Sequence, residues 1–285
     1  MKNFAVVILT FFLLSSCSNF GQLSYVTKLP KKLDENSGIV YYADSTAWFI
    51  EDNGNPDELY QVDFKGNLLK EIKVKNAKNG DWEDLTKDEN GNLYIGDFGN
   101  NVNDRKNLVI YKVPNPQNDL GNKIEAEQIR FNYPEQKEFP PGREKLFYDA
   151  EAFFYHSEFL YIITKNRANP FPGNALLYKV PAQKGEFNAE FIGNIKTCGD
   201  WETCQITSAD ISPDGKTIVL LSYGKLWVIE NFTFDDFTKG KMKEIDLGVR
   251  TQLESVCFLD ENTLLLSDEK RANTGGNLYS LKIPK

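Results

Sequence analysis

Histidine is nearly absent from this chain: His156 is the only one in 285 residues. A three-histidine zinc site is therefore excluded, and a Ser-His-Asp triad would have to use that single residue. Basic residues are also in deficit, with 33 Lys and Arg against 41 Asp and Glu and a formal charge of -8. That balance argues against a nucleic-acid partner held by phosphate neutralisation. No apolar run reaches the ~20 residues of a membrane-spanning helix, and no segment sustains helical periodicity. Disorder and collagen are excluded by 41% hydrophobic residues and only 20 glycines.

What is present begins with a delivery segment. Met1-Lys2-Asn3 leads into an apolar run from Phe4 to Leu14, too short to span a bilayer but of the length of a signal-peptide core. The run ends Leu14-Ser15-Ser16-Cys17, which resembles the bacterial lipobox. The resemblance implies removal of residues 1–16, palmitate-type acylation of Cys17, a lipidated tether over 17–22 and one folded domain over 23–285. Ser18 stands where an aspartate would retain a lipoprotein at the inner membrane, which implies the outer membrane of a two-membrane cell envelope. The expected product is a monomer held to the lipid bilayer by acyl chains. With Cys17 spent on lipid, at most one disulfide can form. Cys198 and Cys204 bracket a polar loop and are the natural pair, whereas Cys257 lies in an apolar run and reads as a buried thiol.

Short runs rich in Val, Ile, Phe and Tyr recur along the whole chain, separated by Asn-Gly, Asp-Gly and Pro punctuation, so the fold class is all-β. A unit recurs five times, opening with a polar cluster and an apolar strand and continuing through a hairpin. Its openings are Asn36–Val40, Asp81–Leu85, Asp149–Phe153, Thr207–Ile211 and Gln252–Val256. The first four units carry four strands each. The fifth is one strand short at the C-terminus, while Leu23–Leu29 forms a lone strand ahead of the first. One completes the other, which is the ring closure of a β-propeller of five four-stranded blades. The long insertion from Asn115 to Tyr148 leaves room for a sixth blade.

Asp81-Trp82-Glu83-Asp84-Leu85 with Gly96–Asn101, Asp149-Ala150-Glu151-Ala152, and Ala209–Gly215 resemble secreted bacterial propellers of the phytase-like, or "esterase-like", family. The Ser37-Gly38-Ile39 opening is similar to the SdiA-regulated propellers. The resemblance implies a propeller fold and raises the prospect of phosphoester or ester hydrolysis with calcium.

Strand starts of a propeller crowd at one mouth of the central channel. Two positions before the first apolar residue stand Ser37, Glu83, Glu151, Ala209 and Glu254; four before it stand Glu35, Asp81, Asp149, Thr207 and Gln252. The second strands bring Asp52, Asp97, Lys165, Tyr223 and Asp268 to the same face. Like charges in a narrow channel must be protonated, paired or bound to a cation. Calcium, with its hard oxygen ligands and loose geometry, is the candidate cofactor, held by Asp81, Glu83, Asp149, Glu151 and Glu254. Lys165, Arg167 and Arg271 are candidate anion-binding residues. Three functions compete: a binding module for a small molecule or envelope protein, a calcium-dependent phosphoester or ester hydrolase, and a glycan-active enzyme working through Glu83, Glu151 and Glu254.

Overall fold

The computed structural model describes residues 19–284, so the signal peptide and Cys17 lie outside the described residues. It is a ring of five antiparallel sheets, each beginning at the axis and working outward. Blade 1 uses Asn36–Tyr41, Thr46–Glu51, Glu58–Asp63 and Leu68–Lys75. Blade 2 uses Trp82–Lys87, Leu93–Asp97, Val109–Val113 and Glu127–Asn132. Blade 3 uses Ala150–His156, Phe159–Thr164, Asn174–Pro181 and Glu190–Lys196. Blade 4 uses Ser208–Ile211, Thr217–Leu221, Lys225–Glu230 and Lys241–Asp246. Blade 5 uses Leu253–Asp260, Thr263–Asp268 and Asn277–Lys282, and its fourth strand is the N-terminal Ser24–Lys28, paired antiparallel to Asn277–Lys282.

The Asn115–Tyr148 insertion builds no sixth blade. Part of it, Lys123–Glu125, adds a fifth, parallel strand to the outer edge of blade 1. Gly185–Asn188 does the same for blade 2. Three-residue and four-residue strands of mixed polarity carry too little alternation to be read from sequence, yet they cover edges that would otherwise be open.

Burial follows radius. The innermost strands of blades 1, 2 and 3 are buried on both faces, because sheets flank them and other inner strands close the axis. Outer strands alternate, as in Leu68–Lys75. The apolar core is divided into wedges between neighbouring blades. Trp48, Trp82, Ile95 and Tyr111 fill the wedge between blades 1 and 2, and Phe98, Phe153, Ile162 and Tyr178 that between blades 2 and 3. Trp82 is fully buried there, with its indole N–H donating to the Lys78 carbonyl at 3.1 Å.

The axis itself is filled by short polar side chains. Asp84 is fully buried; its Oδ1 accepts the Leu85 amide at 2.9 Å. Its Oδ2 accepts the Phe153 amide at 3.3 Å and the Ser208 hydroxyl at 3.1 Å. Ser208 in turn accepts the Val256 amide at 3.1 Å, and Asp210 accepts the Phe258 amide at 2.8 Å. Side chains thus supply the hydrogen bonds between inner strands that a continuous sheet would make with backbone.

Two substitutions test this packing. A Cβ at Gly38 would lie 2.8 Å from the Leu85 amide nitrogen and 2.9 Å from the Asp84 carbonyl carbon, both backbone atoms that cannot swing away. Gly38→Ala should therefore cost about 1–3 kcal/mol by overpacking. Asp84→Ala strands buried donors in blades 3 and 4 and should cost about 3 kcal/mol. Chemical denaturation of the purified variants measures both, and a loss at Asp84 no larger than that of an exposed acid such as Asp214 would refute its central role.

Candidate functional site: an acidic mouth with a paired and an unpaired half

The mouth is built by β-bulges. In blade 2 the ladder pairs Trp82 with Asp97 and then Asp84 with Gly96, leaving Glu83 as the extra residue. Glu151 occupies the same position in blade 3, Glu254 in blade 5 and Ser37 in blade 1. A bulge re-aims the side chain it carries, so one local device places three glutamates and a serine in one layer. Blade 4 has no such bulge, its ladder running Ser208 to Leu221 and Ala209 to Leu220 without a break.

Hydrogen bonding to the next blade corrects the alignment read from sequence. Thr207 Oγ1 donates to the Leu253 carbonyl at 2.6 Å, just as Ser37 Oγ donates to the Trp82 carbonyl at 2.9 Å. Thr207, not Ala209, therefore shares the layer with Ser37, Glu83, Glu151 and Glu254. Counting back from Ile211 lands two residues late, because the small apolar Ala209 holds the place that Ile39 and Leu85 hold in blades 1 and 2.

Eight carboxyls meet at this mouth: Asp52, Asp81, Glu83, Asp97, Asp149, Glu151, Glu254 and Glu269. Three cations answer them, and all three are committed. Arg105 bonds Asp97 Oδ1 at 2.7 Å. Arg167 spans Asp149 at 2.7 Å and Glu151 at 2.8 Å. Lys165 pairs with Glu151 and donates to the Tyr223 hydroxyl at 3.0 Å, which donates to Glu254 at 3.0 Å. Burial alone would lower the Lys165 ammonium, but Glu151 and Glu254 more than offset it and hold it above the ordinary lysine range. The side of the mouth formed by blades 3 to 5 is thus a closed chain of ion pairs and hydrogen bonds.

The side formed by blades 1 and 2 is not. Asp52, at the end of the second strand of blade 1, joins Asp81 and Glu83, and these three carboxylates bring oxygens within 4.8 Å of one another. Asp81 receives the Asn53 amide at 2.5 Å and Asp52 its neighbour's backbone N–H. Glu83 is 8% exposed and accepts no hydrogen bond from any described residue. The backbone at Gly99 presses against Glu83 and Asp81, where a Cβ would come within 2.0 and 2.5 Å of their carboxylate oxygens. Desolvation pushes Asp52 up to about 7, aided by Asp81 and Glu254, and drives Glu83 well above the carboxylate range, with Glu151 and Asp52 adding repulsion.

Not every residue singled out from sequence gathers here. Asp81, Glu83, Asp149, Glu151 and Glu254 do, with Lys165 and Arg167. Arg271 does not: it is exposed in a tight Arg271–Thr274 turn. Cys198 and Cys204 form a disulfide with Cα atoms 5.4 Å apart, and Cys257 is a free buried thiol. The Asp97–Asp104 loop is held by its own side chains, Asn103 accepting the Tyr148 amide at 2.7 Å and Asn100 the Arg105 amide at 3.0 Å. Asp52, Glu269, Arg105 and Tyr223 were not among the candidates. Asp52 and Tyr223 were legible as second-strand ends, whereas Glu269 and Arg105 come from loops with no repeat to mark them.

The fold and its mouth define a five-bladed β-propeller whose axis ends in buried carboxyls. The sequence matches no protein-family model and no curated protein. Its structure is similar to those of other β-propeller proteins. A virginiamycin B lyase from Staphylococcus aureus is 12% identical, with 90% of this chain and 69% of that one covered at a TM-score of 0.44. A gluconolactonase from Xanthomonas campestris is 12% identical over 87% of this chain and 72% of that one, at 0.46. The allergen Mala s 1 of Malassezia sympodialis is 13% identical over 87% and 77%, at 0.48. At such identities the likeness is one of fold alone.

Buried carboxyls with raised pKa make stability fall as pH rises. Desolvation, with Glu254 and Asp52 nearby, lifts Glu269 to about 8, and burial lifts Asp210 to about 6. Each binds its proton more tightly folded than unfolded, where values near 4 apply. Their contribution is complete below about pH 4 and is lost as pH passes through 6 and then 8. In chelator, the melting temperature should decline between pH 5 and pH 8.5, and Glu269→Gln should flatten the upper part of that decline. A melting temperature rising through this range would contradict the assignment.

Proposed function

We propose that this protein is a lipid-anchored envelope propeller that holds a divalent cation, calcium, on the blade 1 and 2 side of its mouth, and that it serves as a ligand- or protein-binding module. The observation that carries the cation site is Glu83: a carboxyl more than nine-tenths buried, without a donor, turned toward Asp52 and Asp81. A bound cation would replace three mutually repelling or protonated acids with an oxygen-ligated charge centre. Only oxygen donors meet there, with neither histidine nor thiol, which favours calcium over zinc or copper. Asp52, Asp81 and Glu83 would hold the ion. Asp149, Glu151 and Glu254, named as ligands from sequence, would act behind it through their ion pairs and hydrogen bonds.

The binding reading is preferred to the two enzymatic ones on the state of the same residues. A phosphoester hydrolase needs cations free to receive an anion, and Lys165 and Arg167 are both engaged. A glycosidase needs two carboxyls free to flank a glycosidic bond, whereas Glu151 is tied to Lys165 and Arg167 and Glu254 accepts the Tyr223 hydroxyl. The lipid anchor rests on the Leu14–Cys17 motif and the outer-membrane location on Ser18 after it.

Because a ligand bound only by the folded state raises its stability, calcium added to chelated protein should raise the melting temperature reversibly. Glu83→Gln should abolish that rise while itself stabilising the metal-free form near neutral pH, since a glutamine need neither take up a proton nor bury a carboxylate on folding. No calcium response in the parent protein, up to millimolar concentrations and at pH 8, would overturn the cation site.

A further inference from the structure

The tether expected over residues 17–22 is mostly part of the fold. The Asn19 side chain accepts the Gly21 amide at 3.0 Å. Gln22 donates its backbone N–H to the Leu247 carbonyl at 2.8 Å, and Leu23 donates to the Phe20 carbonyl at 3.0 Å. Phe20 stacks on Tyr25 at 5.6 Å and leans on Tyr279 at 5.5 Å. Gly21 has φ of +60°, and a Cβ there would meet the Leu247 carbonyl oxygen at 2.1 Å, so the chain lies flat against blade 4 with no room for a side chain. From Asn19 onward the segment is fastened into the seam between blades 4 and 5.

Only two residue steps separate Asn19 from Cys17, a reach of about 7 Å at full extension. The polar headgroup layer of one leaflet is itself about 5–8 Å deep. A diacylglycerol on Cys17 therefore leaves no slack: the seam must lie at the headgroups. The wall beside it suits that position. Lys241, Met242 and Lys243 are exposed on the outer strand of blade 4, Met242 to 38%, and Tyr25 is 49% exposed on the closing strand. Lys241 and Lys243 share a groove with Ile283 and Pro284, and Lys282 is exposed beside them. The same strand exposes Glu244 and Asp246, and Glu230 and Glu261 line the same groove, so the wall is mixed in charge: its lysines can meet anionic headgroups and Met242 and Tyr25 the interface, while the short tether sets its position.

We propose that the propeller rests edge-on against the membrane, with the outer strands of blades 4 and 5 on the lipid surface and the ring held in one orientation. This rests on acylation of Cys17. The short fastened tether, not affinity of the wall alone, is what imposes the orientation.

The test uses the full lipidated chain in vesicles of phosphatidylethanolamine and phosphatidylglycerol. An environment-sensitive fluorophore is placed on Met242→Cys, or on Leu69→Cys at an exposed site of the blade 1 outer strand, and quenched by lipid-borne quencher. The Met242 probe should be quenched several-fold more strongly than the Leu69 probe. A ten-residue Gly-Ser insertion between Ser18 and Asn19, about 17 Å of mean added span, should bring the two together while flotation with the vesicles persists. Floating protein with equal quenching at both sites, or none at either, overturns the edge-on orientation alone. Protein whose intact mass shows no acyl groups and which does not float overturns the anchor reading and this proposal with it.

Discussion

One carboxyl holds the axis. Asp84 sits where inner strands approach too steeply and too far apart to form a common ladder, and its two oxygens collect donors from blades 2, 3 and 4. Burial raises its pKa well above the carboxylate range, while the backbone and serine donors pull it back. Ser208 and Asp210 repeat the pattern toward blade 5. The ring can close with five blades because small polar groups, not apolar ones, occupy its centre: each inner strand has backbone N–H groups left over, and an apolar plug would leave them unanswered. The apolar core, displaced from the axis, is consequently divided among the wedges.

The acidic mouth follows from the same geometry one layer up. Bulges at the start of the first strands of blades 1, 2, 3 and 5 leave one side chain each turned inward, and three of those are glutamates. Their repulsion is resolved differently on the two sides. Lys165 and Arg167 neutralise Glu151 and Asp149, and Tyr223 ties Glu254 into the same chain. Opposite them, Glu83 has no donor, and burial pushes Asp52 and Asp81 upward, with Asp81 and Glu254 adding to the rise at Asp52 and Asp149 to that at Asp81. An asymmetric mouth of this kind is rigid on one side and electrostatically unsatisfied on the other.

The repeat made the architecture readable. Blade count, the order of strands and ring closure by the N-terminal strand all follow from five openings and one displaced strand, because apolar strands with alternation and turn punctuation leave a periodic trace. Residues that stand at repeat positions, such as Asp81, Glu83 and Glu151, could be brought together on paper for the same reason. What escaped has equally physical causes. Ala209 stands two positions from Thr207, the residue that belongs to the layer, because a small alanine at the first apolar position of blade 4 is passed over in favour of Ile211. Lys123–Glu125 and Gly185–Asn188 take their strand character from the edge they join, not from their own sequence. Arg105 reaches Asp97 from a loop whose path nothing in its composition fixes.

Those two short strands have a mechanical meaning. Lys123–Glu125 belongs to the excursion between the third and fourth strands of blade 2 yet hydrogen-bonds to blade 1, and Gly185–Asn188 belongs to blade 3 yet bonds to blade 2. Each is a stitch across the outer rim, so blades 1, 2 and 3 are joined at the circumference as well as at the axis. Blades 4 and 5 carry no fifth strand; the N-terminal segment joins them instead, with Gln22 donating to the Leu247 carbonyl at 2.8 Å and Phe20 packed on Tyr25 and Tyr279. The ring is therefore an arc of three blades stitched by added strands, completed by two blades that the chain's own N-terminal segment ties together.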